Sequence, residues 1–174
     1  MSTLSRSQGY TLVELMVALA AGAFLLAGVS LSYSAIKGTI LVGKELENAQ
    51  EVIRYTSKVF TRSIKQTPRL PEVAADGSSI TIYQPAGVIT CNGSVSTAAV
   101  SELYSLVDNN LQCALDAAPA ERLLTGVKQL SFAIDNNLVT INVGPENLPA
   151  QFGNTITIDI AVSNVILNNA FCGA

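Results

Sequence analysis

The sequence predicts an α+β fold, in which a long N-terminal α-helix packs on an antiparallel β-sheet head domain. Two observations predict the helix: Leu15 to Ile36 is a run of 22 uncharged residues, and no proline occurs between Tyr10 and Thr67. A third predicts the sheet, because apolar residues after Pro68 recur with the alternating period of a strand. The helix is therefore expected to end at Pro68 after up to 58 residues.

Residues 10–36 are predicted to be the membrane-spanning half of this helix. About 20 apolar residues are enough to cross the hydrocarbon core of a bilayer. Glu14 is the only charged side chain between Tyr10 and Ile36. An ionisable group within a membrane costs on the order of 2.5 to 3.5 kcal/mol and usually has a partner. Since the helix has no cation near Glu14, that partner must come from chain cleavage or from another molecule.

The N-terminal segment carries a recognisable motif. Gly9-Tyr10-Thr11-Leu12-Val13-Glu14, followed by an apolar helix, resembles the processing site of type IV prepilins and type II secretion pseudopilins. The resemblance implies that residues 1–9 are a leader, that prepilin peptidase cuts after Gly9, and that Tyr10 is then N-methylated. It also implies that Glu14 pairs with the free amine of a neighbouring subunit during assembly. The alternative is an ordinary single-pass anchor that remains uncut.

Residues 37–67 are predicted to form the amphipathic half of the helix. Its apolar stripe is expected to pack under the sheet, and a basic stripe lies on another face. That basic stripe is either ordinary solvated surface or a site that pairs with the acidic surface of an adjacent subunit. Four glycines within the helix indicate either close packing in the membrane or local melting on assembly. The apolar stripe comprises Leu46, Ala49, Ile53, Thr56, Phe60 and Ile64; the basic stripe comprises Arg54, Lys58, Arg62, Lys65 and Arg69; the glycines are Gly22, Gly28, Gly38 and Gly43.

Residues 68–174 are predicted to form the β-rich head, with five to seven strands after a linker over 68–77. Asn-rich segments at 108–110 and 136–137 predict turns, and the second predicts a hairpin. Residues 122–135 read as one long strand or as a strand with a bulge at Gly126. The remaining strand-like segments are 79–84, 103–107, 111–115, 138–143 and 155–162, with a short apolar piece at 87–91.

Three cysteines lie beyond the predicted span, in the part of the chain expected outside the cytoplasm, where disulfides persist. Cys91 and Cys113 lie at or beside strands of the same predicted sheet region, so we predict that they form a disulfide. Cys172 would then be unpaired. The alternative pairing of Cys113 with Cys172 would resemble the C-terminal disulfide loop of major pilins.

Composition argues against several classes of function. The chain has no His, which removes His-based catalysis and His-ligated metals. Residues 70–174 hold two basic and nine acidic side chains, a balance that disfavours direct nucleic-acid binding. We therefore expect no enzyme activity, metal, cofactor or small-molecule substrate.

Three segments of the predicted head resemble a narrower group within this family. The Cys91-Asn92-Gly93 segment, the Leu111-Gln112-Cys113 segment and the run from Leu123 to Phe132 look like the PilW group of minor pilins, although Lys128 stands where an acid is more usual. The resemblance implies a subunit that helps to initiate pilus assembly, with other minor pilins, the major pilin and the inner-membrane assembly platform as partners. It implies an inner-membrane location with the head in the periplasm, and later the pilus. The alternatives are a J-type secretion pseudopilin and an adhesive subunit at the pilus tip.

Overall fold

The computed structural model describes residues 11–149 and 152–172 and divides the chain into two compact units, one ending at Gly43 and the next beginning at Lys44. Helix α1 runs from Leu12 to Gln66, and Pro68 lies just beyond its end, as predicted. The strands that follow are β1 (Glu72–Val73), β2 (Ser79–Gln84), β3 (Val100–Val107), β4 (Asn110–Leu115), β5 (Glu121–Thr125), β6 (Val127–Asp135), β7 (Leu138–Pro145) and β8 (Ile156–Ala161). Helix α2 spans Ser163–Cys172. The predicted α+β fold is confirmed.

The strands form two antiparallel sheets instead of the single sheet expected. Within the described residues, a five-stranded sheet has the order β1-β2-β3-β4-β5, and a three-stranded sheet has the order β6-β7-β8. The segment predicted over 122–135 as one long strand, or as a strand with a bulge at Gly126, forms two separate strands, because β5 ends at Thr125 and β6 begins at Val127. Gly126 has φ of +80°, a left-handed conformation that glycine adopts without penalty, and the chain leaves one sheet there and enters the other.

The second half of α1 supplies one side of the hydrophobic core. Phe60 is fully buried and lies 4.9 Å from the ring centroid of Tyr104 and 5.4 Å from that of Phe132. The predicted apolar stripe is correct at Ala49, Thr56, Phe60 and Ile64. It is shifted elsewhere: Leu46 and Ile53 are only half-buried, whereas Val52, Val59 and Ser63 are buried.

The turns predicted at 108–110 and 136–137 form, and another turn links the two sheets. Asp108 and Asn109 have φ of 49° and 60° in the β3–β4 turn, and Asn136 has φ of 53° in the predicted β6–β7 hairpin. In the β1–β2 turn, the Gly77 carbonyl accepts a hydrogen bond from the Phe132 amide at 2.9 Å. The apolar piece at 87–91 is part of a loop, in which Ile89 and Val95 form an isolated antiparallel β-bridge.

Candidate functional site: the N-terminal assembly helix and the head that follows it

Glu14 lies in the first turn of α1, three residues after Thr11, which caps the helix. The Thr11 side-chain oxygen accepts a hydrogen bond from the Glu14 amide at 3.3 Å, which satisfies one of the free amides at the helix N-terminus. A carboxylate in this turn also interacts favourably with the helix dipole. The Glu14 side chain is exposed and therefore accessible to a neighbouring molecule. Gly9 and Tyr10, the predicted processing site, lie outside the described residues.

The first unit exposes a continuous apolar surface. Leu12 is 76% exposed and Phe24 is 82% exposed, and the most apolar stretch of α1 has a mean hydropathy of 2.3 with none of its residues buried. The hydroxyls of Ser30 and Ser32 donate to helix carbonyls four residues earlier, at 2.8 and 3.0 Å, so they need no partner in lipid. The segment is long and apolar enough to cross a membrane.

The four helix glycines have open space around them within the part of the chain that the structure describes. A Cβ added at Gly22, Gly28, Gly38 or Gly43 would meet no atom within 4 Å, and the helix continues through each of them. No intramolecular contact therefore requires glycine at these positions. Close packing with another helix and local melting both remain explanations.

In the second unit, a disulfide joins Cys91 to Cys113, the pair predicted from the sequence, with their Cα atoms 6.4 Å apart. This bond ties the loop between β2 and β3 to strand β4. The Cys91 amide also donates to the Glu102 carboxylate at 2.6 Å, so the loop is held at the same point by a hydrogen bond.

Glu102 is the centre of a buried polar cluster that sequence reasoning missed. Besides the Cys91 amide, its carboxylate accepts hydrogen bonds from Gln84 Nε2 and from the Tyr104 hydroxyl, each at 3.0 Å. The Ser63 hydroxyl lies 2.8 Å from that of Tyr104, which links the cluster to α1. Burial, together with the neighbouring Glu102 carboxylate, raises the pKa of Tyr104 well above its ordinary value, so this hydroxyl remains a donor.

A signal for this cluster was present in the sequence. Glu102 alternates with Tyr104 and Leu106 along β3, which places all three on the inward face of the strand. An acid at an inward position predicts a buried carboxylate with several donors around it.

The predicted basic stripe is correct except at its last residue. Arg54, Lys58 and Lys65 are exposed on α1, and the half-buried Arg62 donates to the Thr90 carbonyl at 3.1 Å. Arg69 lies beyond the helix, and its guanidinium carbon is 3.2 Å from the centroid of the Tyr83 ring. Pro68 ends the helical spacing, so Arg69 cannot continue the stripe.

A comparison with protein-family models finds a match at the N-terminal end of the chain. Residues 4–30 match the prokaryotic N-terminal methylation motif, which includes Gly9, Tyr10 and Glu14. The N-terminal segment of the chain is therefore similar to that of type IV pilin-like proteins. A comparison with curated proteins gave no match.

The motif and the apolar helix indicate how the chain is processed and anchored. The motif implies processing by prepilin peptidase and assembly with other pilins, and the apolar helix fits an anchor in the inner membrane. The pilin-like family is structural, not catalytic. Among the described residues, no group of three or more His, Cys, Asp or Glu side chains could hold a metal ion.

Proposed function

We propose that this chain is a minor pilin of a type IV pilus, which helps to initiate pilus assembly at the tip of the fibre. The observation that carries the proposal is the methylation motif at residues 4–30, combined with an apolar helix segment none of whose described residues is buried. Before assembly the helix is anchored in the inner membrane with the head in the periplasm. Afterwards, the helices of sister minor pilins and of the major pilin replace lipid around it.

Glu14 guides this transfer from membrane to fibre. Cleavage after Gly9 creates an ammonium group at Tyr10, and the exposed Glu14 carboxylate pairs with that group on a neighbouring subunit. Such pairing neutralises a charge that is costly in lipid. A subunit docked against its neighbour is therefore favoured over a subunit alone in the membrane. The Thr11 cap supports this role, because it fixes the start of the helix three residues before Glu14.

The Glu14→Ala variant tests this role. We expect normal cleavage after Gly9 and at least an order-of-magnitude loss of incorporation into fibres, since removing one partner of a buried charge pair costs about 3 kcal/mol or more. Glu45→Ala is the matched control, because Glu45 is also an exposed glutamate of α1 but lies outside the motif. Normal incorporation of the Glu14→Ala protein would overturn the assigned role.

The processing site is tested by Gly9→Asp, which should leave only the uncut form in the envelope. Mass spectrometry of fibres sheared from native cells should detect a peptide that begins with N-methylated Tyr10, at low abundance relative to the major pilin. If a mature-sized protein still accumulated from Gly9→Asp, the proposed site would be wrong.

A J-type pseudopilin of type II secretion is the second candidate, because the methylation motif occurs in both classes. It predicts that the processed form stays in the envelope and that deletion abolishes exoprotein secretion while pili are unaffected. An adhesive tip subunit is the third candidate. It predicts normal piliation with loss of surface attachment.

A further inference from the structure

An open cleft lies at the end of the head where α1 finishes. Its volume is about 540 Å³, which is within the usual range of ligand sites. The lining comes from the segment that follows α1, from the neighbouring ends of β2 and β3, from both ends of the loop between these strands, and from Asp116. Most of the lining side chains are apolar or aromatic: Pro68, Tyr83, Pro85, Ala86, Ala99 and Val100.

Arg69 contributes a positive charge to the cleft and is held in position. Its guanidinium carbon lies 3.2 Å from the centroid of the Tyr83 ring, and its carbonyl accepts a hydrogen bond from the Thr67 hydroxyl at 2.8 Å. A hydrogen bond with the Glu72 carboxylate is the main cause of the raised pKa of Tyr83, so this hydroxyl stays protonated and helps to fix the ring. The Arg69 side chain is exposed, and the fork of a guanidinium can bind a carboxylate through two hydrogen bonds.

Asp116 contributes a negative charge, which Ser101 holds in place. One carboxylate oxygen accepts hydrogen bonds from the Ser101 amide at 2.8 Å and from the Ser101 hydroxyl at 2.9 Å, and the Asp116 amide donates to the Ser101 carbonyl at 2.9 Å. The bonds from the Ser101 amide and hydroxyl lower the pKa of Asp116, so the exposed carboxylate is ionised at neutral pH. Asp116 has φ of 48°, which is uncommon for a residue with a side chain, and the same bonds stabilise this conformation.

The two charges are separated by about two strand spacings. Tyr83, on which the Arg69 guanidinium stacks, pairs directly with Ser101 of β3, and Asp116 directly follows β4 on the other side of β3. Neighbouring strands are about 4.8 Å apart, so the backbones at Tyr83 and Asp116 are about 10 Å apart. A ligand that contacts both charges must therefore carry two groups of opposite sign at about this distance.

An extended peptide can provide this spacing. Side chains two residues apart in a strand point in the same direction and begin about 6.6 Å apart, and the length of Glu and Lys side chains covers the remaining distance. The methylene stems of such side chains pack well on apolar surface. A neutral glycan would leave both charges of the cleft without an opposite charge, and a phosphate group would be repelled by Asp116.

We propose that this cleft binds an extended segment of a partner protein, with an acidic side chain on Arg69 and a basic side chain on Asp116. Tyr83 and Ser101 are positioning residues, because each fixes one of the two charged groups. The inference goes beyond the proposed function, since the cleft belongs to the head and requires neither processing nor incorporation into a fibre. Each copy forms the complete cleft, so a subunit present at low abundance can use it.

A peptide library tests the proposal with the full-length chain in detergent. The probe is a set of immobilised heptapeptides with Glu and Lys two residues apart and all other positions randomised, and the matched set has Gln at both positions. Wild type should bind the charged set at least about tenfold better than the neutral set, because each charge then gains a partner. Arg69→Gln and Asp116→Asn should each lower binding to the charged set by about fivefold, and the two together should remove the preference.

Charge reversal separates a specific contact from loss of folding. Arg69→Glu should bind the charged set poorly and instead favour peptides with Lys at both positions, a result that an unfolded cleft could not give. The matched control is Arg122→Gln with Asp135→Asn, which neutralises one exposed cation and one exposed acid outside the cleft. It should change binding by less than about twofold.

Two results would overturn the proposal. The first is equal binding of the charged and neutral sets by wild type. The second is binding of oligogalacturonate that depends on Arg69 but not on Asp116, with no preference for the charged peptides, which would assign the cleft to an acidic glycan. Either result leaves the proposed function standing, because cleavage after Gly9 and incorporation into fibres are measured separately.

Discussion

Glu102 has no exposed surface, yet it carries a carboxylate, and three donors surround it. Substituting Glu102→Ala would remove the acceptor of the Cys91 amide and one hydrogen bond each of the Gln84 side-chain amide and the Tyr104 hydroxyl, which keep contacts with Ser63 at 3.0 and 2.8 Å. Each unsatisfied buried group costs about 1 to 3 kcal/mol, so we expect the free energy of unfolding to fall by about 3 kcal/mol or more. Chemical denaturation of the full chain in detergent, followed by the circular dichroism of the β-rich unit, measures this change.

Two further variants make this test specific. Glu102→Gln keeps the size of the side chain but places an NH₂ group among donors, so its loss of stability should be smaller than that of alanine and still measurable. Glu121→Gln, at an exposed position on β5, should change stability by less than about 0.5 kcal/mol. Equal stability of Glu102→Ala and wild type would contradict the role of the buried carboxylate.

At the residue scale, the linear motif and the buried cluster differ in how readily they can be predicted. Gly9, Tyr10 and Glu14 are close in sequence, so the pattern alone identifies them. Glu102 is one of the nine acids of the head, and composition alone does not distinguish it from the others. Its burial depends on Ser63, Gln84 and Cys91, which belong to three other segments and meet only in the folded head.

Gly77 connects the β1–β2 turn to strand β6 and has no room for a side chain. Its φ is +70°, and a Cβ would lie 2.9 Å from the backbone oxygen of Phe132. Gly77→Ala should therefore lose stability for two reasons: the left-handed conformation costs about 1 to 2 kcal/mol, and the β1–β2 turn must move away from β6. We expect a total loss of more than about 2 kcal/mol, measured by the same denaturation assay.

Gly93→Ala separates these two causes. Gly93 has φ of +84°, but a Cβ there would meet nothing within 4 Å, so only the conformational penalty remains. Its loss should be about 1 kcal/mol. Equal losses at the two positions would show that the contact with Phe132 does not restrict Gly77.

At the element scale, the sequence predicts elements whose signals are local. Helix α1 follows from a proline-free run and ends before Pro68, and the hairpins follow from Asn-rich turns. The two-residue strand β1 and helix α2 were not predicted. Strand β1 forms by pairing with β2, and α2 is connected to α1 through the Asn164 side chain, which donates to the Lys65 carbonyl at 2.9 Å. Such contacts between distant segments leave no periodic signal in the sequence.

At the scale of the whole molecule, the chain places different tasks in different segments. Residues 11–43 provide an apolar surface with one acid, whereas the unit from Lys44 onward buries its own core and carries nearly all the charge. The proposed processing and membrane transfer use the first unit. The basic stripe of α1 belongs to the second unit. Changes that destabilise the head should therefore leave recognition by the peptidase intact.

The disulfide provides the means to test this separation. Replacing Cys91 and Cys113 by alanine removes a crosslink between residues 22 apart, which stabilises the folded head by about 3 kcal/mol in the chain-entropy model. We expect the double variant to unfold at lower denaturant and to accumulate less, while cleavage after Gly9 proceeds at the wild-type rate in membranes. The wild-type protein with its disulfide reduced should unfold at the same denaturant concentration as the double variant. Cys172→Ala should keep wild-type stability if Cys172 is unpaired, as predicted. Slower cleavage of the double variant would mean that the peptidase requires a folded head, and a Cys172→Ala loss of similar size would favour the alternative pairing with Cys113.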